Sequence, residues 1–180
     1  MGNTISISPA TPGDAPALEQ LINSAYRGEF AKQGWTTEAD LLDGTRTDAE
    51  LIRGIIANPH SLLLKATGKE GIVGCVELRQ DGNKLYLGML TVRPDIQGRG
   101  IGKALMNAAE AEAARRNCAA VFMSVITTRT ELIDWYTRHG YHDTGKRTPF
   151  AFTDPRFGKP KAELEFAVLE KEIRNSEIRK

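Results

Sequence analysis

A strand-like run, KLYLGMLTV (84–92), leads into RPDIQGRGIGKAL (93–105), where three of the five residues 98 to 102 are glycine, and from there into an alanine-rich helical segment. Joining a strand to a helix through Gly98, Gly100 and Gly102 sacrifices backbone entropy. The gain is a helix start whose unpaired N–H groups and dipole favour an anion, with no Cβ to hold that anion away. The chain must therefore set a helix against the end of a sheet strand and present a phosphate cradle there. Close helix packing alone would also call for glycine, but it leaves Gln97, Arg99 and Lys103 beside the turn without a role.

The periodicities on either side fill in the architecture. TISISPA (4–10) alternates like a half-buried strand, and Thr11, Pro12 and Asp14 have the spacing of a helix cap ahead of Leu18, Leu21, Ile22, Ala25 and Tyr26. From Gly28 to Thr47 the pattern breaks into a loop with room for a short helix. Thr47 and Glu50 then form a capping-box pair before a helix that ends at Asn58-Pro59. SLLLKAT, IVGCVELRQ and KLYLGMLTV read as an antiparallel meander, with Asp81-Gly82-Asn83 as one of its turns. The helix after the glycines runs to Arg116 and stops at Asn117. AAVFMSVI (119–126), apolar on both faces, reads as a central strand parallel to the one before the turn. Thr128 and Glu131 cap a last helix that stops at Gly140, and 141–146 with 162–169 form a final strand pair. The order β-α-α-β-β-β-α-β-α-β-β implies an α+β or mixed α/β fold in one domain, with a core over about 4–170 and a charged tail at 171–180.

Composition narrows the function. Lys plus Arg (24) nearly balance Asp plus Glu (23), so the field that drives nonspecific binding to nucleic acid or anionic membranes is missing. No run is apolar enough to span a bilayer, and the N-terminus lacks a secretory pattern, which points to the cytoplasm. MGNTIS fits a short myristoylation pattern at Gly2 that matters only in a eukaryotic host. Cys75 and Cys118 lack metal or redox spacing and suit core packing in a reducing compartment; no metal is expected.

Three cradles compete for the glycine turn. A Walker A loop fails, because Gln97 stands where its first glycine belongs and Ala104, not Ser or Thr, follows Lys103. A dinucleotide fingerprint fails too, because Lys103 replaces its last glycine and no acid ends the following strand. The third pattern, Gln/Arg-x-x-Gly-x-Gly/Ala, is met by Gln97, Gly100 and Gly102. Together with WYTRHGY (135–141), which is similar to a Tyr-x-x-x-Gly-aromatic element, and with the order of runs over nearly the whole chain, it resembles the GNAT superfamily of acyl-CoA N-acyltransferases.

The resemblance implies a central, mostly antiparallel sheet with helices on both faces and a splayed parallel strand pair. It implies acetyl-CoA as cosubstrate, with the coenzyme A pyrophosphate on the amides of Gln97, Gly98, Arg99, Gly100, Ile101, Gly102 and Lys103. The pantetheine arm would lie along the backbone of Leu90, Thr91 and Val92, with an amide near Leu90 as donor to the thioester oxygen. Tyr136 matches the family's tyrosine acid, although the same position suits packing with Leu132 and Trp135. Where the family often has an asparagine seven residues earlier, this chain has Arg129.

A base is read from the residues alone. Glu77 shares a strand face with Val73 and Cys75, where a partly desolvated carboxylate accepts a proton directly or through water; an ion pair would explain it equally. His139 and His142 have no triad or metal partner at recognisable spacing and read as surface histidines. Cys75 as an acyl carrier would need an adjacent base, so direct transfer through a tetrahedral intermediate is expected. Acceptor specificity is expected in Tyr26 to Arg46 and in Thr148 to Pro160. Tyr26, Trp35 and Glu38 are its candidate contacts, among further acids at Glu29, Asp40 and Asp43. The acceptor is an amine on a small molecule or a protein terminus, and the chain is compatible with a homodimer. A noncatalytic acyl-CoA-binding regulatory module would use the same platform.

Overall fold

The structure is a computed structural model that describes residues 4–27, 31–32, 39, 41–43, 46–149, 159–160 and 164–173. In chain order its elements are β1 (Ser6–Pro9), α1 (Ala15–Tyr26), β2 (Leu42–Asp43), α2 (Ala49–Ala57), β3 (Ser61–Gly68), β4 (Gly71–Asp81), β5 (Lys84–Val92), α3 (Ile101–Arg115), β6 (Ala120–Ile126), α4 (Thr130–Arg138), β7 (His142–Pro149), β8 (Lys159–Pro160) and β9 (Glu165–Glu172). Seven strands form one sheet in the order β1-β3-β4-β5-β6-β9-β7, antiparallel throughout except where β5 meets β6. The expected α+β class with a mostly antiparallel sheet is therefore found.

That one parallel junction shapes the molecule. β5 and β6 pair only at Lys84–Ala120, Leu85–Val121 and Tyr86–Phe122. Beyond them β6 gives its far edge to β9 along its whole length, from Ala120 with Glu172 to Ile126 with Phe166, while β5 stays with β4 to Val92. Two strands held by different neighbours diverge as the sheet twists, and a wedge opens between them.

Helices cover both faces because both faces are apolar. Leu18 and Ile22 of α1 and Ile52 of α2 pack on Leu63, Cys75 and Met89. On the opposite face Ile101, Leu105 and Met106 of α3 pack on Val76, Leu78, Leu85 and Val121, and Tyr136 of α4 joins the same cluster. Gly74 lets α3 come close: a Cβ there would stand 2.8 Å from the Thr91 carbonyl oxygen and 3.0 Å from Leu105.

The helix starts differ from the expected caps by a residue. Asp48, not Thr47, caps α2, its carboxylate accepting the Leu51 N–H at 2.8 Å. The Thr47 N–H and carbonyl are engaged by the Asn23 side chain of α1 instead. Arg129, not Thr128, stands at the start of α4. Asn117 ends α3 as expected, in the left-handed region at φ 58°. A bulge in β3–β4 between Ala66 and Thr67 shifts the alternation, so Val73 faces α3 while Cys75 lies on the α1 side. The face proposed for Glu77 is thus shared with Cys75 but not with Val73. The two segments expected to hold acceptor specificity meet in a short ribbon, Leu42–Pro160 and Asp43–Lys159, which nothing in their sequence announced.

Candidate active site

The wedge between β5 and β6 is flanked by two cavities that share Tyr26, Leu90, Arg129, Leu132 and Tyr136. The first, about 310 Å³, runs over the glycine turn and is walled by α4 through Trp135 and His139. The second, about 380 Å³, lies in the wedge itself, between Tyr86 to Leu90 of β5 and Met123 to Ile126 of β6.

The turn is built to be approached. Gly98 and Gly100 have φ of 86° and 82°, which only glycine adopts without strain, and Gly100 sits at the start of α3. The first bond of the helix is Ala104 N–H to the Gly100 carbonyl at 3.0 Å. The amides of Ile101, Gly102 and Lys103 precede it and have no carbonyl within the helix to meet. A Cβ at Gly98 or Gly100 would stand in open space, so the cavity comes right to the backbone. The Gln97 side chain donates to the Val92 carbonyl at 3.1 Å and ties the turn to the end of β5. Amides, a helix dipole and Lys103 on an uncrowded turn fit a diphosphate group. Leu90, Thr91, Val92, Gln97, Gly98, Gly100, Gly102 and Lys103 all border this cavity. Arg99 does not: it faces a separate depression with Lys69 and Glu70. The Ile101 side chain turns into the core, leaving only its amide on the turn.

Between the two cavities β5 is kinked. Cys75 pairs with Thr91 and Glu77 with Gly88, so Met89 and Leu90 together oppose Val76. Met89 has φ 47°, a left-handed conformation that costs a residue with a Cβ roughly 1–2 kcal/mol. Side chains hold the displaced peptide groups: the Thr91 hydroxyl donates to the Met89 carbonyl at 2.8 Å, and the Tyr26 hydroxyl to the Leu90 carbonyl at 2.9 Å. The bulge re-aims the strand's polar backbone where the cavities meet.

Tyr136 is 5 % exposed and borders both cavities. Its ring stands edge-on to Trp135 and Tyr141, at 5.2 and 5.8 Å between centroids. Burial raises its phenol well above the ordinary value, nearby Tyr26 adds to this, and the Arg129 guanidinium opposes it. The phenol is protonated throughout the neutral range. Arg129 is itself buried and also borders both cavities.

Glu77 borders neither cavity. It lies beside α2, 9 % exposed, directly across the ladder from Gly88, which does border the second. Burial raises its carboxyl, against the pull of Arg79 and Arg46. Tyr26 lies at the junction of the cavities, whereas Trp35 and Glu38 lie outside the described residues. Cys75 is fully buried, lines neither cavity, and burial pushes its thiol up to about 12.

Several lining residues were misread or went unread in the sequence. His139, expected at the surface, is instead half-buried in the wall of the first cavity, against the Trp135 ring at 4.4 Å, its Nδ1–H donating to the Trp135 carbonyl at 2.6 Å. Its spacing of four from Trp135 puts both on one helix face, a signal that was available. Arg27, Arg46, Tyr86 and Phe166 line the second cavity and come from stretches too far apart for any spacing to connect. Among the described residues no three His, Cys, Asp or Glu side chains gather as a metal site would, and no helix is long and apolar enough to cross a membrane.

Residues 16–141 match the model of the acetyltransferase (GNAT) family. Among solved structures, the fold is similar to the ribosomal-protein-S18-alanine N-acetyltransferase of Escherichia coli, at 14 % identity over 96 % of both chains with a TM-score of 0.72. It is similar to the PaiA N-acetyltransferase of Thermoplasma acidophilum in complex with coenzyme A, at 19 % identity over 94 % of this chain and 99 % of that one, TM-score 0.67. YncA of Salmonella typhimurium, with its cofactor acetyl-CoA, is 18 % identical over 96 % of this chain and 95 % of its own, TM-score 0.68. The family match spans well over half of the chain, and the sheet with its single parted strand pair agrees with it: the chain belongs to the GNAT family of acetyltransferases.

Proposed function

We propose that the protein is an N-acetyltransferase that moves an acetyl group from acetyl-CoA to a primary amine by direct attack through a tetrahedral intermediate. The observation that carries this reading is the meeting of two cavities, one on the glycine turn and one in the wedge, at Leu90 and Tyr136. The amides after Gly100, with Lys103, would hold the pyrophosphate, and the backbone of Leu90 to Val92 the pantetheine arm. The coenzyme-bound relatives from Thermoplasma and Salmonella support that donor.

The acceptor enters from the wedge. Its ammonium must lose a proton before it can attack, and Glu77, whose raised carboxyl makes it the stronger base, takes that proton through water and the Tyr86 hydroxyl, which packs over Gly88 across the ladder from Glu77. A backbone N–H of the Met89–Leu90 bulge donates to the carbonyl oxygen as negative charge develops there, an interaction stronger in the transition state than in the ground state. Tyr136 gives its proton to the departing thiolate. The tyrosinate left behind is costly in a buried site, and Arg129 offsets part of that cost. The bond from carbon to nitrogen forms and the bond from carbon to sulfur breaks; the ammonium's first proton leaves through Glu77 to solvent, and the second, released from nitrogen as the tetrahedral intermediate collapses, restores the Tyr136 phenol. Direct transfer fits the two buried thiols, neither of which borders either of these two cavities.

Thiol release from acetyl-CoA across a broad panel of amines tests the reading. Acceptor-dependent release with an N-acetylated product is expected. Tight coenzyme A binding without turnover of any amine would overturn it in favour of a noncatalytic acyl-CoA-binding module.

A further inference from the structure

We propose that Lys171 of β9 and Glu110 of α3 are positioning residues for the transfer: through Tyr141 they brace the end of α4 and so fix where the Tyr136 phenol stands. This rests on Tyr136 as the acid of the proposed reaction. Tyr136 lies in the last turn of α4, a helix of nine residues. A helix this short is marginal on its own, and helix ends fray. A phenol carried there keeps one position only if the turn is tied down from outside the helix.

The ties run outward from Tyr136 in sequence. The Tyr141 N–H donates to the Tyr136 carbonyl and the Gly140 N–H to the Thr137 carbonyl, both at 3.1 Å, with Gly140 left-handed at φ 95°. This is a Schellman closure, and it brings the residue after the glycine back against the last turn. The Tyr141 ring, 2 % exposed, accordingly stands edge-on to the Tyr136 ring at 5.8 Å. Tyr141 is held in its turn. Its hydroxyl donates to one oxygen of the Glu110 carboxylate at 3.1 Å, and the other oxygen accepts from the Lys171 ammonium at 2.8 Å. The same ammonium donates at 3.1 Å to the carbonyl of His139, a group that a helix end leaves without an intrahelical partner and where a cation suits the dipole. Burial and the Glu110 charge both raise the Tyr141 phenol, so its hydroxyl stays a donor. The end of α4 is thereby joined to α3, whose first turn is the phosphate cradle, and to β9, which pairs with β6 along the wedge. Glu110, Tyr141 and Lys171 border neither cavity, so any effect of theirs on the reaction passes through residues that do.

A double-mutant cycle tests the brace. Tyr141→Phe keeps the ring and removes its tie to Glu110, whereas Lys171→Met keeps an unbranched stem and releases both Glu110 and the His139 carbonyl. Each is made alone and together with Tyr136→Phe. With every variant below its melting temperature, kcat is read by thiol release from acetyl-CoA with an amine that turns over, and coenzyme A affinity by calorimetry. In the otherwise unchanged protein either substitution should lower kcat by about 10-fold and shift coenzyme A affinity by less than about threefold, because a displacement of about 1 Å costs up to about 100-fold in rate while the turn amides stay in place. In the Tyr136→Phe background the same substitutions should lower kcat by less than about twofold, the mark of residues that act through another. Lys171→Arg, which keeps a donor for Glu110, should recover part of the rate. A kcat unchanged in both Tyr141→Phe and Lys171→Met, or lowered equally in the two backgrounds, would overturn the brace and leave Tyr136 as the acid. Coenzyme affinity lost in step with kcat would overturn it too, making the end of α4 a cavity wall only. Tyr136→Phe turning over like the parent, or a parent that turns over no amine, would overturn the underlying reading and the brace with it.

Discussion

Tyr136 and Glu77 are both titratable groups taken out of water, and in each case burial is the first cause of the shift. For Tyr136 this keeps the phenol protonated, as the proposed transfer of its proton to the thiolate requires. Tyr136→Phe should retain acetyl-CoA affinity and lower kcat by about 100-fold, the scale of a lost general acid, as steady-state kinetics beside calorimetry would read. Equal loss of affinity would make the residue a packing element. For Glu77 the raised carboxyl ties catalysis to stability. The folded chain keeps this proton to a higher pH than the unfolded chain does, so between the ordinary value of 4.5 and the raised one stability falls as pH rises. Above that window the buried charge is a standing penalty. Glu77→Gln should therefore melt higher than the parent at pH 7 and equally at pH 4, while losing the acid limb of the kcat/KM profile. A variant that melts lower at pH 7 would mean that Arg79 and Arg46 outweigh the desolvation.

β5 is the element on which both cavities depend. In its bulge Met89 is left-handed, and the Thr91 hydroxyl holds the Met89 carbonyl there. Thr91→Val should cost about 1–2 kcal/mol in chemical denaturation and slow turnover as the bulge relaxes. Two glycines, Gly88 of β5 and Gly74 of neighbouring β4, separate the cavities by experiment. At Gly88 a Cβ would stand 2.7 Å from the Tyr86 ring, which borders the second cavity. Gly88→Ala should raise the acceptor KM several-fold and leave coenzyme affinity unchanged. On neighbouring β4, Gly74→Ala would press on the Thr91 carbonyl, costing about 1–3 kcal/mol and weakening coenzyme binding instead.

The strands and helices were largely legible in their own periods, because each records a local apolar pattern. What was lost depended on partners remote in sequence. Asn23 engages Thr47 and leaves Asp48 to cap α2. β9 enters the sheet between β6 and β7, an order that no local pattern states. The first cavity was readable because the glycine turn and the strand before it are contiguous. The second was not, because Arg27, Arg46, Tyr86 and Phe166, which line it, come together only after folding.

At the scale of the whole molecule, one departure from regular pairing does most of the work. A sheet whose central parallel pair holds for three residues and then parts supplies a wedge, with the turn after one of its strands as a phosphate cradle at its edge. In the proposed mechanism the acceptor meets the donor through the sheet, not over its surface. The central claim is that the donor sits on that turn, and acetyl-CoA titration of the parent and Gly100→Glu by calorimetry tests it most directly. At Gly100 the new side chain enters open space and its carboxylate suits the start of α3, so the fold should survive with roughly 1–2 kcal/mol of backbone strain. The cradle, however, is filled and its charge reversed. The account predicts saturable 1:1 binding by the parent and loss of at least about 100-fold in affinity for a folded Gly100→Glu, a difference of about 2.7 kcal/mol. Equal affinity in the two proteins would place the coenzyme elsewhere and contradict the account.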